Sequence, residues 1–117
     1  MGVLSDLQPA LVWKYFEEIC TIPHGSGNEQ AISNYIVDFA KAKGLKYVQD
    51  KVNNVVIWAP GTGDKQDHAP VILQGHMDMV AQKLPECDIN MDTDGLRLKL
   101  GEDVVYAEGT TLGGDDG

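Results

Sequence analysis

The sequence of 117 residues has few cysteines and no long apolar segment. Its two cysteines, Cys20 and Cys87, cannot build a disulfide framework and do not form a CxxC pair. No apolar run approaches the roughly 18 residues of a membrane-spanning helix. The first residues lack the basic and apolar regions of a signal peptide. We therefore expect a soluble, cytoplasmic protein, in which Cys20 is a small buried apolar residue.

Basic residues are also scarce. Nine Lys and Arg face 18 Asp and Glu, which gives a formal charge of −9, and 12 of the acids lie in residues 61–117. Such a surface repels phosphate backbones and anionic lipids, so we expect neither a nucleic-acid partner nor a membrane partner. The same surface can attract cations.

Two helices are predicted in the first part of the chain. Pro9 opens an apolar stripe with a spacing of four residues, and Pro23 ends it. Ser26 and Glu29 have the spacing of a capping box at the start of the second helix. Gly44 can adopt the left-handed conformation that ends it.

The residues that follow the helices have the patterns of strands. We predict one strand that is buried on both faces and four further strands. The sequence contains no repeat and no low-complexity segment. The buried strand is Val71–Leu73, and the others are Leu45–Val52, Val55–Trp58, the alternating residues 96–100 and Val104–Tyr106. The predicted fold class is α/β, with helices packed on a mixed sheet, in a single region over residues 1–117.

His76 and Asp78 follow the predicted buried strand directly. Ligand sites gather at the carboxyl ends of strands in open α/β sheets. Residues i and i+2 of an extended segment point to the same side, so Asp78 can approach the ring of His76. A metal-binding imidazole usually donates its second N–H to a carboxylate or carbonyl. The pattern of His76 and Asp78 after a buried strand therefore favours a metal site over an ordinary loop histidine.

Asp115 and Asp116 lie side by side among glycines near the end of the sequence. Taken alone, they are typical of an exposed acidic turn. Combined with His76, they form a mixed nitrogen and oxygen set that suits zinc, manganese or cobalt. We therefore keep this segment as a second part of the candidate metal site.

The other candidates are weaker. Residues 90–95 resemble the opening of an EF-hand loop, but Gly101 stands where the bidentate glutamate belongs, so a simple turn is favoured. His24, after Pro23, is expected to be structural, and His68 is expected to be solvated. No phosphate-binding loop, HExxH or GxSxG motif is present.

Several blocks of the sequence together resemble the amino-terminal part of the aminoacyl-histidine (Xaa-His) dipeptidases of the M20 metallopeptidase family. The resemblance implies that His76 is a metal ligand, that Asp78 is the catalytic acid that orients it, and that Asp115 bridges two metal ions. Asp116 receives no ligand role. The blocks are WKYFEEICTIP, SGNEQAISNY, DKVNN, VILQGHMDMV and GTTLGGDDG.

The same resemblance implies hydrolysis of Xaa-His dipeptides at a dinuclear site with a bridging water, with two divalent ions, most often zinc and otherwise cobalt or manganese. It implies a homodimer for the full-length enzyme. The family's general-base Glu, its remaining ligands and its lid domain have no counterpart in residues 1–117. We therefore expect a fragment that is inactive alone.

Three alternatives stay open at this point. An aminoacylase or tripeptidase of the same fold would use the same residues. A non-catalytic module could use His76 and the acids to sequester a cation. An interaction domain could use its acidic half to dock a basic partner.

Overall fold

A computed structural model describes residues 2–116 of the chain. Helix α1 spans Ala10–Cys20 and helix α2 spans Gln30–Ala42, so both predicted helices are confirmed. Helix α2 ends before Gly44, whose φ of +68° is the left-handed value expected there. None of the helices in the described part of the chain has the length and apolar character needed to cross a membrane.

The predicted capping box of the second helix is wrong. Helix α2 begins after Glu29, and no side chain among the described residues caps it. The backbone N–H of Ser26 donates to the carbonyl of Met79 over 3.0 Å, so it cannot bind Glu29. The Glu29 carboxylate instead accepts the N–H of Gly27 over 2.6 Å. A long-range backbone contact has replaced the local motif.

The first pair of strands forms a hairpin that packs on helix α2. Strand β1 (Lys46–Gln49) pairs antiparallel with β2 (Val55–Trp58), and the turn carries Asn53 at a φ of 73°. The Asp50 carboxylate accepts the backbone N–H groups of Val52 and Asn54, each over 2.9 Å. The Ser33 hydroxyl on α2 donates to the carbonyl of Asn53 over 2.9 Å. This unit joins helix and hairpin through both apolar and polar contacts.

The second hairpin packs on helix α1. Strand β3 (Leu98–Leu100) pairs antiparallel with β4 (Val105–Ala107), close to the predicted positions. Its inward side chains join those of α1 in one core cluster, in which every side chain is less than a tenth exposed. The cluster consists of Leu4, Phe16, Cys20, Leu98 and Ala107.

The predicted buried strand at Val71–Leu73 is wrong in this structure. These residues have no strand pairing within the described part of the chain, and their exposed fractions are 83%, 88% and 92%. A strand buried on both faces needs neighbours on both sides, and no segment of residues 2–116 supplies them. The α/β class and the packing of a helix on a sheet are nevertheless confirmed.

One parallel backbone contact positions the segment that carries His76 and Asp78. Gly25 and Met79 form an isolated parallel bridge, the single parallel pairing within residues 2–116. The N–H of Met79 donates to the carbonyl of His24 over 2.9 Å. The bridge therefore holds the junction between α1 and α2 against the segment that follows His76.

Candidate metal centre

Three loop segments meet at the candidate site: residues 24–26 between the helices, residues 76–79, and residues 113–116. They line a cavity of about 280 Å³, whose walls include Ser26, His76, Asp78 and Asp115. A larger cavity of about 420 Å³ lies between residues 82–84 and 107–111, but neither a histidine nor a carboxylate lines it. The histidine and the carboxylates therefore line the smaller of these two cavities.

The imidazole of His76 is held between acidic residues on both edges. Its Nδ1 donates to the carbonyl oxygen of Asp78 over 3.0 Å and lies 3.2 Å from the carboxylate oxygen Oδ1 of the same residue. Its Nε2 lies 3.0 Å from Oδ2 of Asp115. The hydrogen bond to Asp115 is the main reason why the pKa of His76 is raised. The i, i+2 geometry expected from the sequence is thus present, and it directs Nε2 at Asp115.

Asp78 is held in turn by Ser26. The Ser26 hydroxyl donates to Oδ2 of Asp78 over 2.5 Å. This hydrogen bond is the first cause of the lowered pKa of the Asp78 carboxyl, and the charge of His76 adds to it. Asp78 is therefore ionised at neutral pH and able to keep Nδ1 of His76 protonated.

Asp116 lies beneath the site with His24. Its side chain is 4% exposed, and its Oδ2 lies 2.8 Å from Nε2 of His24. The other ring nitrogen of His24, Nδ1, lies 2.6 Å from the carbonyl oxygen of Ile22. Both ring nitrogens face acceptor oxygens, so a proton lies between Nε2 and Oδ2. Burial raises the pKa of the Asp116 carboxyl, while the hydrogen bond from His24 opposes that rise.

The second oxygen of Asp116 has no partner within residues 2–116. Oδ1 is buried without a hydrogen bond and lies 3.7 Å from Nδ1 of His76. A buried, unsatisfied carboxylate oxygen is costly unless a donor or a cation compensates it. This buried oxygen fits a positively charged group at the cluster.

These residues fit a divalent cation. His76, Asp115 and Asp116 each offer one ligand atom, and the three atoms lie within 4.8 Å of one another. No other group of three such residues occurs within residues 2–116. One imidazole nitrogen with carboxylate oxygens suits zinc, cobalt or manganese. The structure thus brings together all three site residues predicted from the sequence: His76, Asp78 and Asp115.

Sequence reasoning missed His24 and Ser26 as parts of the site and gave Asp116, which it kept beside Asp115, no ligand role. His24 was expected to be structural, and it is buried, but its partner Asp116 lies 92 residues away in the sequence. No local pattern reports a contact over that distance. The only available signal was that Asp116 adjoins Asp115.

The remaining candidates lie outside the site. Residues 90–95 form a turn in which the carboxylate of Asp94 accepts the N–H of Asn90 over 2.9 Å. His68 is exposed in a polar loop. Cys20 is 3% exposed, as predicted.

Two known proteins that are similar to this chain are dipeptidases. No protein-family model matches the sequence. The chain is 40% identical over all 117 residues to the cytosol non-specific dipeptidase of Escherichia coli K12. Its fold matches the crystal structure of an aminoacylhistidine dipeptidase from Vibrio alginolyticus with a TM-score of 0.91 and 38% identity, over 98% of this chain.

The chain spans 24% of the length of each of these two relatives. Both similarities extend over essentially the whole chain, at identities well above the level at which only a fold is shared. The resemblance indicated by the sequence motifs is therefore confirmed: the chain is homologous to a segment of dipeptidases, which are hydrolases, amounting to about a quarter of their length.

Proposed function

We propose that residues 1–117 form the amino-terminal part of the catalytic domain of a metal-dependent dipeptidase that hydrolyses dipeptides of the Xaa-His type. One observation carries the proposal. His76 and two carboxylates converge within 4.8 Å in a chain whose full-length similarity is to dipeptidases. The E. coli relative is named as non-specific and the Vibrio structure as an aminoacylhistidine enzyme, so the preference for histidine is the finer part of the proposal.

His76 and Asp115 would hold the metal in a dinuclear site, with zinc as the expected ion and cobalt or manganese as substitutes. Such ions polarise a peptide carbonyl and make water a better nucleophile. The fit rests on the donor set and on the orphaned Oδ1 of Asp116. Asp115 is 74% exposed at its side chain, so its second oxygen is free to reach a second ion.

The other residues of the site orient these ligands. The backbone carbonyl of Asp78 accepts the Nδ1–H of His76, and its carboxylate Oδ1 lies 3.2 Å from the same nitrogen, which fixes the ring and leaves Nε2 for the ligand position. Ser26 fixes the rotamer of Asp78 by donating to its other carboxylate oxygen. Asp78 is thus assigned as the catalytic acid that orients His76, and its carboxylate stays ionised because its pKa is lowered.

We also propose that the 117 residues do not hydrolyse dipeptides alone. They span 24% of the relatives' length, and the described residues gather one histidine and two carboxylates, with no glutamate among them. The general base and the remaining ligands are assigned to other parts of the enzyme. We further propose a cytoplasmic homodimer for the complete protein.

The test is an assay of β-alanyl-histidine hydrolysis by the full-length protein that contains this chain. We expect activity that a chelator removes and that zinc restores. His76→Ala and Asp115→Ala should abolish it, while the exposed His68→Ala should not change it. The isolated 117-residue chain should show none.

Three results would contradict the proposal. Hydrolysis that survives chelation and His76→Ala would remove the metal centre from the mechanism. Hydrolysis of acyl-amino acids or tripeptides, but not of dipeptides, would indicate the aminoacylase or tripeptidase alternatives. Zinc binding without any hydrolysis would favour the non-catalytic module.

A further inference from the structure

We propose that His24 is a positioning residue of the metal centre: its buried imidazole anchors Asp116, and this anchor places the neighbouring Asp115 against His76. The inference rests on the proposed function, because it concerns the same metal site. It assigns a role to a histidine that contacts neither the expected substrate nor the expected ions.

The ring of His24 is fixed at both ends. The residue is 2% exposed and lies at the junction between α1 and α2. Its Nδ1 lies 2.6 Å from the carbonyl oxygen of Ile22, two residues earlier, and its Nε2 lies 2.8 Å from Oδ2 of Asp116. A ring with both nitrogens engaged has no freedom to rotate, so Nε2 marks a fixed point for the carboxylate.

Because its side chain is held by His24, Asp116 also fixes the backbone around Asp115. The N–H of Asp116 donates to the carbonyl of Gly113 over 3.0 Å, which closes a tight turn around Asp115. With the Asp116 side chain buried and held, Asp115 is presented at the surface, where its Oδ2 lies 3.0 Å from Nε2 of His76. The free oxygen of Asp116 lies 3.7 Å from the other nitrogen of the same ring.

The segment that carries His24 also holds the second ligand loop. Its backbone pairs with Met79 through two hydrogen bonds, from Met79 N to His24 O over 2.9 Å and from Ser26 N to Met79 O over 3.0 Å. The Ser26 hydroxyl binds Asp78. Residues 24–26 therefore fix both loops from which the ligands project, and His24 is the link to the loop of Asp115.

Two conservative substitutions separate positioning from simple packing. In His24→Gln the side-chain amide reaches the position of Nε2 and keeps a donor for Asp116. In His24→Asn the amide reaches only the position of Nδ1, so the contact with Ile22 is kept and the contact with Asp116 is lost. A residue that only fills space would tolerate both changes equally or neither.

The experiment is a titration of the metal-free, full-length protein with Co²⁺ and Zn²⁺. The dissociation constant and the visible absorption spectrum of bound Co²⁺ are recorded at a temperature at which every variant is folded. We expect His24→Asn to weaken binding by about 10- to 100-fold, the range for residues that support a ligand, and to change the cobalt spectrum. His24→Gln should stay within about threefold of the unmodified protein, and the exposed His68→Asn should match it.

A second pair of variants approaches the same contact from the other side, should His24→Asn fail to fold. Asp116→Asn keeps an amide donor for Nε2 of His24, whereas Asp116→Ala removes the contact, so Asp116→Ala should bind metal about 10- to 100-fold less well than Asp116→Asn. Equal affinity for Asp116→Asn and Asp116→Ala would overturn the anchor.

The two proposals fail in different ways. If His24→Asn and His24→Gln bind metal alike while His76→Ala binds none, the role of His24 is overturned and the metal site stands. If the unmodified protein and His76→Ala are indistinguishable in metal binding, the proposed function fails, and the role of His24 fails with it.

Discussion

Two histidine–aspartate pairs lie side by side in this molecule, and the distance between nitrogen and oxygen is almost the same in both. Nε2 of His24 is 2.8 Å from Asp116, and Nε2 of His76 is 3.0 Å from Asp115. Their surroundings differ sharply: the side chains of the first pair are 2% and 4% exposed, whereas those of the second are 52% and 74% exposed.

The difference shows that burial, more than distance, separates a structural contact from a binding site. A buried pair cannot exchange its hydrogen bond for water, so breaking it leaves an unpaired polar group in the interior. An exposed pair is solvated on its free sides and can exchange its hydrogen bond for a shared cation. The first pair therefore holds the loops, and the second is available to a ligand.

The largest effect is expected on the stability of the fold when the buried pair is broken. His24→Ala leaves the carboxylate of Asp116 buried without its partner, and removing one member of a buried pair costs about 3–5 kcal/mol. His76→Ala, at an exposed position, should change stability by less than about 0.5 kcal/mol. Unfolding in urea measures both values. Equal losses of stability would contradict the distinction between the pairs.

The next effect concerns metal affinity. Here the substitution of His76 should have the larger effect, whereas for stability the substitution of His24 has the larger effect. His76→Ala removes a proposed ligand. Residues that only support a ligand change metal affinity by about 10- to 100-fold, so the loss of a ligand itself should weaken zinc binding by at least about 100-fold. The reason is direct loss of a nitrogen donor. Competition with a fluorescent chelator gives the affinity, with His68→Ala as the matched control. A loss of less than tenfold would show that His76 is not a ligand.

A smaller effect is expected from Ser26. Ser26→Ala removes the hydroxyl that donates to Asp78, so the carboxylate is less firmly held against His76. We expect zinc affinity to fall by about tenfold, the lower end of the same range. The exposed Ser5→Ala provides the control in the same titration. Affinity unchanged in both variants would indicate that Asp78 keeps its position without Ser26.

The smallest effect is a pH dependence reported by Cys20. Burial raises the pKa of the Cys20 thiol to about 12, and the charges of Asp116 and Glu17 add to the rise. A raised pKa means that the folded state favours the protonated thiol. Its contribution to stability is therefore complete below the ordinary pKa of 9.0 and is lost as the pH rises from 9 toward 12.

Urea unfolding between pH 7 and pH 10.5 tests this sign. The unmodified protein should lose stability above pH 9 more steeply than Cys20→Ala, which has no thiol to ionise. Identical curves would mean that the thiol is not held in a buried environment near Asp116.

The parts of the fold that follow local rules were predictable from the sequence. The four-residue spacing around Phe16 and the left-handed position of Gly44 locate the helices, because both patterns depend on neighbouring residues. The strands of both hairpins also follow from short apolar and alternating patterns. The strand at Val71–Leu73 was not predictable in the same way, because burial on two faces depends on partners elsewhere, and residues 2–116 supply none.

The residues of the candidate site show the same difference between contacts that are close in sequence and contacts that are distant in sequence. His76 and Asp78 are two residues apart, and backbone geometry alone brings them together. Ser26 was assigned to a helix cap because a local motif was available, yet it binds Asp78, 52 residues away. His24 and Asp116 are 92 residues apart, and only the packing of the loops shows that they meet.

The most direct test is an NMR measurement of the side-chain nitrogens of the three histidines during a zinc titration. The imidazole nitrogens of His76 should shift strongly as zinc is added. Those of His24 should change little, and those of His68 should not respond. A strong direct shift at His24, or no shift at His76, would contradict the assignment of the buried pair to support and the exposed pair to metal binding.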